Sequence, residues 1–336
     1  MPRTALRSPA SRLDTSRIAA ATRLVAPALR DTPLLALERL GARLGCTLLA
    51  KDETRGPLGC FKGRGADACV AARVALGRRE PLVCASAGNF GLALADAGRR
   101  HGVAVTVFVA KNANPYKVAR IASAGGAVVR DGADFDAAKA AARAFAAKRG
   151  LPFIEDGVEV EITEGAGTIG VELDAAGDYD DLVVPVGNGA LLAGIATWVR
   201  ARRPRVRIVA VCSSHAPVMR DCWRRGLGAA RRHVASRPVT IADGIAVREP
   251  VPLAVADLAP LVDEFLAVDD DGLRAALRTL HRDEGIAAEP SAVAGIAAIA
   301  AHPKLFAGRR IITVLTGANL TDVQRAEYFE TPETTT

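Results

Sequence analysis

The chain has 336 residues, enough for one large or two medium domains around a sizeable core. Half of them are apolar and only 4% aromatic, so the core is built from Ala, Val, Leu and Ile, as suits helices packed on a buried parallel sheet. The formal charge of +7 comes from 37 arginines and 7 lysines set against 37 acidic residues, and no apolar run reaches the roughly 20 residues of a membrane span.

In chain order, the first 30 residues contain Arg and Ser but no apolar stretch with a small-residue cleavage site. They read as a flexible arm, with an organelle transit peptide as the alternative, rather than an export signal, and a cytoplasmic protein is expected. From Asp31 onward, short β-branched runs alternate with Ala-rich amphipathic stretches. Strands are predicted at 47–51, 81–85, 103–109, 127–130, 182–186, 206–212 and 311–315. Helices are predicted at 36–44, 63–77, 91–101, 116–124, 135–149, 189–203, 272–284 and 291–301. This alternation is the mark of βαβ units in a mostly parallel sheet. The stretch 174–181 reads as a loop and the tail 331–336 as frayed.

The arginine clusters 200–207 and 224–232 lack interleaved aromatics, so solvated helix faces are expected rather than a nucleic-acid surface. Six cysteines (46, 60, 69, 84, 212 and 222) form no CxxC pair and no Cys/His ligand spacing. Reduced thiols are expected, with neither a disulfide framework nor a structural zinc site. The five histidines likewise show no ligand spacing and read as surface or helix-end residues.

Four segments carry chemistry. Lys62 follows glycines 56 and 59 and opens an Ala-rich helix, where the helix N-terminus favours a neutral amine such as a Schiff-base nucleophile needs. Gly63 and Gly65 lower helix propensity at this point, as a close approach of backbone to ligand would justify. Ala85-Ser86-Ala87-Gly88-Asn89 follows a strand and opens a helix. Its exposed amides form either a carboxylate clamp or an ordinary cap. Gly187-Asn188-Gly189-Ala190-Leu191 has the order strand, glycine turn, helix. That order suits a phosphate cradle, or a turn serving only close helix–strand packing, and no Walker GK[ST] follows. Thr316 ends the last strand, where its hydroxyl can bond a neutral ring nitrogen or simply reflect the β-propensity of threonine.

Taken together and in this order, the segments resemble the fold-type II pyridoxal-phosphate enzymes of the tryptophan synthase β superfamily. Among these they are most similar to threonine/serine dehydratases. The supporting blocks are Cys60-Phe61-Lys62-Gly63-Arg64-Gly65-Ala66, Ala85–Asn89, residues 187–191, Ala242-Asp243-Gly244-Ile245-Ala246, Glu289-Pro290-Ser291 and Thr32-Pro33-Leu34. The resemblance runs from about residue 17 to 324. It implies two doubly wound α/β domains with the cofactor, pyridoxal 5'-phosphate, in the cleft between them. The large domain would comprise 1–80 and 160–336, and the small one 81–159. A homodimer acting on a small amino acid is implied as well.

The resemblance also implies roles. Lys62 would carry the cofactor as a Schiff base and then remove the substrate α-proton. Phe61 would pack on the pyridine ring, Asn89 would bond the ring hydroxyl, and Thr316 would face the ring nitrogen. Gly187, Asn188, Gly189, Ala190 and Leu191 would hold the phosphate. Ser86, Ala87, Gly88 and Asn89 would grip the substrate carboxylate.

Several departures from the pattern matter for the reaction. Ala87 stands where racemases of the family have a second serine, which favours elimination over racemisation. Cys212-Ser213 replaces the family's metal-binding Glu, so no metal is expected. Phe90 replaces a common His and Cys60 a common Ser; Cys60 reads as a packing residue beside Lys62 rather than a second nucleophile. The blocks stop short of any regulatory C-terminal domain, so isoleucine feedback is not expected. The expected activity is β-elimination on L-threonine or L-serine, giving a 2-oxo acid and ammonia. The alternative is β-replacement on an activated serine in specialised metabolism. A non-catalytic binding protein is disfavoured, because every cofactor-contact position is chemically competent.

Overall fold

The computed structural model describes residues 11–226 and 239–330. Among these residues, nine strands fall into two sheets. β1 (Leu34–Ala36) pairs antiparallel with β2 (Thr47–Asp52) at the edge of a six-stranded sheet. The remaining members are β6 (Asp181–Pro185), β7 (Arg207–Ser213), β8 (Glu264–Val268) and β9 (Arg310–Leu315). The spatial order is β1-β2-β9-β6-β7-β8, parallel throughout except at β1. Strands β2, β6 and β9 are buried almost end to end. Their continuous Val/Ile/Leu runs, without polar alternation, are what a parallel sheet covered on both faces requires. The smaller sheet is β3 (Leu82–Ala85), β4 (Val105–Val109) and β5 (Ala127–Arg130), all parallel.

Helices α1 (Thr15–Leu24), α2 (Glu38–Leu44), α3 (Lys62–Ala75), α4 (Asn89–His101), α5 (Pro115–Ser123) and α6 (Phe135–Arg149) precede α7 (Val160–Glu172) and α8 (Ala190–Arg202). They are followed by α9 (Val218–Arg225), α10 (Pro252–Leu258), α11 (Asp270–Glu284) and α12 (Ala294–Ala301). Local chemistry sets their ends. Asp134 caps α6 by accepting the amide of Ala137, and Asp269 caps α11 by accepting that of Gly272. Gly150 and Gly285 end those two helices at φ of 63° and 70°, where a side chain would be strained. α12 (AGIAAIAA) is apolar on all sides and packs under the six-stranded sheet.

The expected α/β class and most expected elements are present, within a few residues at their ends. Six of the elements named above were not expected: the strands β1 and β8 and the helices α1, α7, α9 and α10. The expected N-terminal arm is structured from Ser11 onward. Arg12 chelates Asp257, α1 packs against α7, and residues 1–10 lie outside the described residues. The expected loop 174–181 opens with a 3₁₀ turn at Leu173–Ala176, and its last residue, Asp181, already belongs to β6. The tail 331–336 also lies outside the described residues.

Four arginines of the first cluster have acidic partners nearby: Arg200 with Asp263, Arg202 with Asp174, Arg203 with Asp178 and Arg207 with Asp181. Most of the second cluster, with His233, lies outside the described residues. All six cysteines are free thiols, five of them buried. No helix among the described residues is long and apolar enough to cross a membrane.

Candidate active site

The end of β2 and the turn after β9 are stitched together by backbone hydrogen bonds. Glu53 donates to Leu315 O (3.0 Å), Phe61 to Thr316 O (3.1 Å) and Ala318 to Gly59 O (2.9 Å). Lys62 and Thr316, 254 positions apart in sequence, are thereby brought to one wall. Lys62 is the first residue of α3.

The neighbouring glycines serve a different purpose from the one expected. A Cβ on Gly63 would lie 2.9 Å from both Leu29 and Leu58, and one on Gly65 would lie 2.5 Å from Ile162 O. They let α3 pack against the protein, and neither lines the cavity described below. Arg64, between them, is fully buried. It bridges Glu53 and Glu172 and anchors the base of the helix.

The turn from β3 into α4 carries Ser86 to Asn89. Gly88 occupies the cap position of α4 without a side-chain cap of its own, and its amide donates to Ser86 Oγ at 3.2 Å, while amides further into the first turn have no side-chain acceptor. The turn from β6 into α8 is built the same way. Gly189 sits at the uncapped start of α8 with φ of 101°, which only glycine adopts without strain. A Cβ on Gly187 would lie 2.7 Å from Gly244 O, so this turn also packs closely on the 242–246 block.

These segments face one cavity of about 540 Å³, within the range of small-ligand sites. Every expected site residue lines it: Phe61, Lys62, Ser86, Ala87, Gly88, Asn89, Gly187, Asn188, Gly189, Ala190, Leu191 and Thr316. Asp243, Gly244, Glu289 and Ser291, from the two further blocks, line it too, and Phe90 forms part of its wall. Lysine Nζ lies 4.7 Å from the Phe61 ring centre and 2.5 Å from Asp156 Oδ2. Asp156 was not expected from the sequence. It belongs to no motif, and it reaches the cavity because Ile154 and Phe153 pair alongside Val83.

Glu289 is buried, and Asn89 donates to both of its oxygens, at 3.1 and 3.2 Å. Burial pushes its carboxyl up to about 7, with the charge of Asp243 adding to the rise and the Asn89 hydrogen bond opposing it. Asn319 completes the lock on Asn89: its Nδ2 donates to Asn89 Oδ1 at 2.7 Å. Burial also pushes the Cys60 thiol up to about 12, reinforced by Glu289, which favours its protonated form.

The biosynthetic L-threonine dehydratase of Pasteurella multocida is 31% identical over 86% of the chain, which spans 56% of that protein's length. The L-threonine ammonia-lyase of Thermotoga maritima is 30% identical over 82% of the chain and 68% of its own length. Among solved structures, the threonine deaminase of T.th. matches with a TM-score of 0.82 at 30% identity, covering 91% of this chain and 98% of that one. The processed form of threonine deaminase isoform 2 from Solanum lycopersicum matches with a TM-score of 0.83 at 26% identity, covering 98% and 97%. The family model described as pyridoxal-phosphate dependent enzyme matches residues 25–317, and the chain belongs to that family.

Proposed function

We propose that this protein catalyses β-elimination on L-threonine or L-serine, releasing a 2-oxo acid and ammonia, with pyridoxal 5'-phosphate held on Lys62. The observation that carries the reading is the convergence of Lys62, two uncapped helix-start turns and Thr316 on one cavity. The relatives named above support the choice of substrate.

The residues present suit the cofactor. Two buried polar atoms at the cavity, Ser291 Oγ and Asp156 Oδ1, have no partner among the described residues. Buried polar atoms of this kind normally find one, so the wall is built for a polar guest. The amides of 187–191, at the start of α8, would hold its phosphate. Asn89 would donate to its ring hydroxyl, Phe61 would pack on the ring, and Thr316 would bond the ring nitrogen. When bound, pyridoxal phosphate supplies the electron sink for the pair released at the substrate α-carbon.

The chain's own residues do the rest. The turn 86–89 grips the substrate carboxylate and so orients the Cα–H bond toward Lys62 Nζ, which takes the proton. Ala87 offers no hydroxyl to return a proton to the opposite face, which favours elimination over racemisation. We further propose that 1–80 and 160–336 form a large domain and 81–159 a small one that closes on substrate and expels water. The separate three-stranded sheet supports that division. A homodimer is proposed from the family resemblance, to be read by sedimentation velocity. A cytoplasmic location is supported by the six free thiols, and fractionation tests it.

Incubation of the purified holoenzyme with L-threonine, L-serine and O-substituted serines should release 2-oxo acid and ammonia in equal amounts. Absence of 2-oxo acid from all of them would overturn the reading. Lys62→Ala should lose the visible absorption band of the bound cofactor and lower turnover by about 10²–10⁴-fold; a surviving band would place the attachment elsewhere.

A further inference from the structure

Most acidic side chains at the cavity are matched to cations of their own. Glu155 pairs with Arg143 at 2.6 Å and with Lys139, Asp136 pairs with Arg248 at 2.7 Å, and Asp243 pairs with Lys117. Glu289 is held by Asn89 and by the Asn319 amide. Asp156 is different. It is buried, Oδ2 lies 2.5 Å from Lys62 Nζ, and its other oxygen has no partner among the described residues.

The segment bearing Asp156 is also fixed in place. The Ile154 amide donates to Val83 O at 2.7 Å, and the Arg12 guanidinium donates to Gly157 O at 2.9 Å. Gly157, at φ of 88°, sits so close to Asn188 that a Cβ would be 3.0 Å from its carbonyl oxygen. The carboxylate is therefore held against Lys62 from the same piece of backbone that braces the 187–191 turn.

We propose that Asp156 is a positioning residue for Lys62: it keeps the amine in the cavity and stabilises the ammonium that Lys62 becomes on taking the substrate α-proton. In that step the Cα–H bond breaks, an N–H bond forms on Nζ, and the electron pair stays on the carbon side. The new positive charge arises beside a buried carboxylate, where attraction is weakly screened. The proton-transfer half of this proposal rests on the reaction proposed above; the ion pair itself does not.

The same contact has an opposite effect on cofactor capture. Attack on an aldehyde requires Nζ to leave the carboxylate it is bonded to, so the contact holds the amine back. A role in Lys62 chemistry thus predicts that Asp156→Asn changes two rates in opposite directions, which loss of structure would not do.

The test uses the full chain in two measurements. After the cofactor has been stripped, its recapture at pH 7 is followed by the return of the visible band. In the holoenzyme, exchange of the L-alanine α-proton in deuterium oxide is followed by NMR, since L-alanine has no leaving group. Asp156→Asn should recapture the cofactor at least about threefold faster and exchange the α-proton about 10–100-fold more slowly. Asp156→Glu should fall between Asn and the native residue in both, and it takes the place of Asn if that variant does not fold. Unchanged exchange, or recapture that is no faster, would overturn the proposal. If no substrate yields a 2-oxo acid, both rates still report on Asp156, so the two failures stay distinguishable.

Discussion

A carboxyl group that titrates near neutrality inside a protein changes stability over the same pH span. Glu289 ionises at about 7 when folded and near 4.5 when exposed, because burial disfavours its charge. Below pH 4.5 both states hold the proton and Glu289 contributes nothing. Between 4.5 and 7 the unfolded chain releases the proton while the folded one keeps it, so stability falls as pH rises. The loss totals on the order of 3 kcal/mol and is complete above 7. Urea titrations of the cofactor-free protein between pH 5 and 8 should show that decline, and Glu289→Gln should flatten it; an unchanged slope would assign the effect to another group. At this scale the site was only partly legible in the sequence. Lys62, Asn89 and Thr316 each lie in a compact motif, and all three line the cavity. Asp156 lies in none, and its position depends on a strand pairing across the small sheet that no local pattern encodes.

At the scale of elements, two kinds of glycine should respond differently to alanine. Gly194, in α8, faces α7 so closely that a Cβ would lie 2.1 Å from Thr163 O and 2.7 Å from Gly167 N. Both obstacles are backbone, so Gly194→Ala must push the helices apart. It should cost about 1–3 kcal/mol and lower Tm by several degrees, in cofactor-free and loaded protein alike. Gly189→Ala meets only side chains, at 3.1 Å or beyond, but it strains a residue at φ of 101° in the proposed phosphate cradle. Its main effect should be weaker cofactor retention, by about tenfold in equilibrium dialysis, for a strain of about 1–2 kcal/mol. Equal effects of the two substitutions on retention would argue against the cradle. The same glycines explain what sequence patterning missed. α7 carries Gly165, Gly167 and Gly170, which lower helix propensity and hide its period, although they are what allows α3 and α8 to approach it. β1 is three residues long, too short for periodicity to separate from loop. The buried parallel strands were legible because apolar runs of strand length leave no other account.

Across the whole molecule, the cavity draws its walls from both sheets, so a bound cofactor tethers them to each other. Thermal melts of stripped and reloaded protein should therefore differ. At a free cofactor concentration one hundred times Kd, the stabilisation should be about 2.7 kcal/mol, following mass action. A two-step melt in the stripped protein that merges into one on reloading would report the coupling directly. Melts that coincide would show that the cofactor does not bind this cavity.

Strand β9 lies between β2 and β6 in the large sheet, although among the described residues it is the last strand to be made. A ribosome adding about 5–20 residues per second therefore releases β2 long before its neighbour exists. The small sheet, made of residues 82–130 in consecutive order, has all its partners early. The nascent chain must carry β2 with one open edge, and β6 with another, until residue 315 emerges. Lys62 is translated among the first fifth of the chain and has no Thr316 opposite it until near the end. A stalled or truncated product lacking β9 would thus present two unpaired apolar edges and a reactive amine without its pocket, which makes it a substrate for chaperones rather than a dormant enzyme.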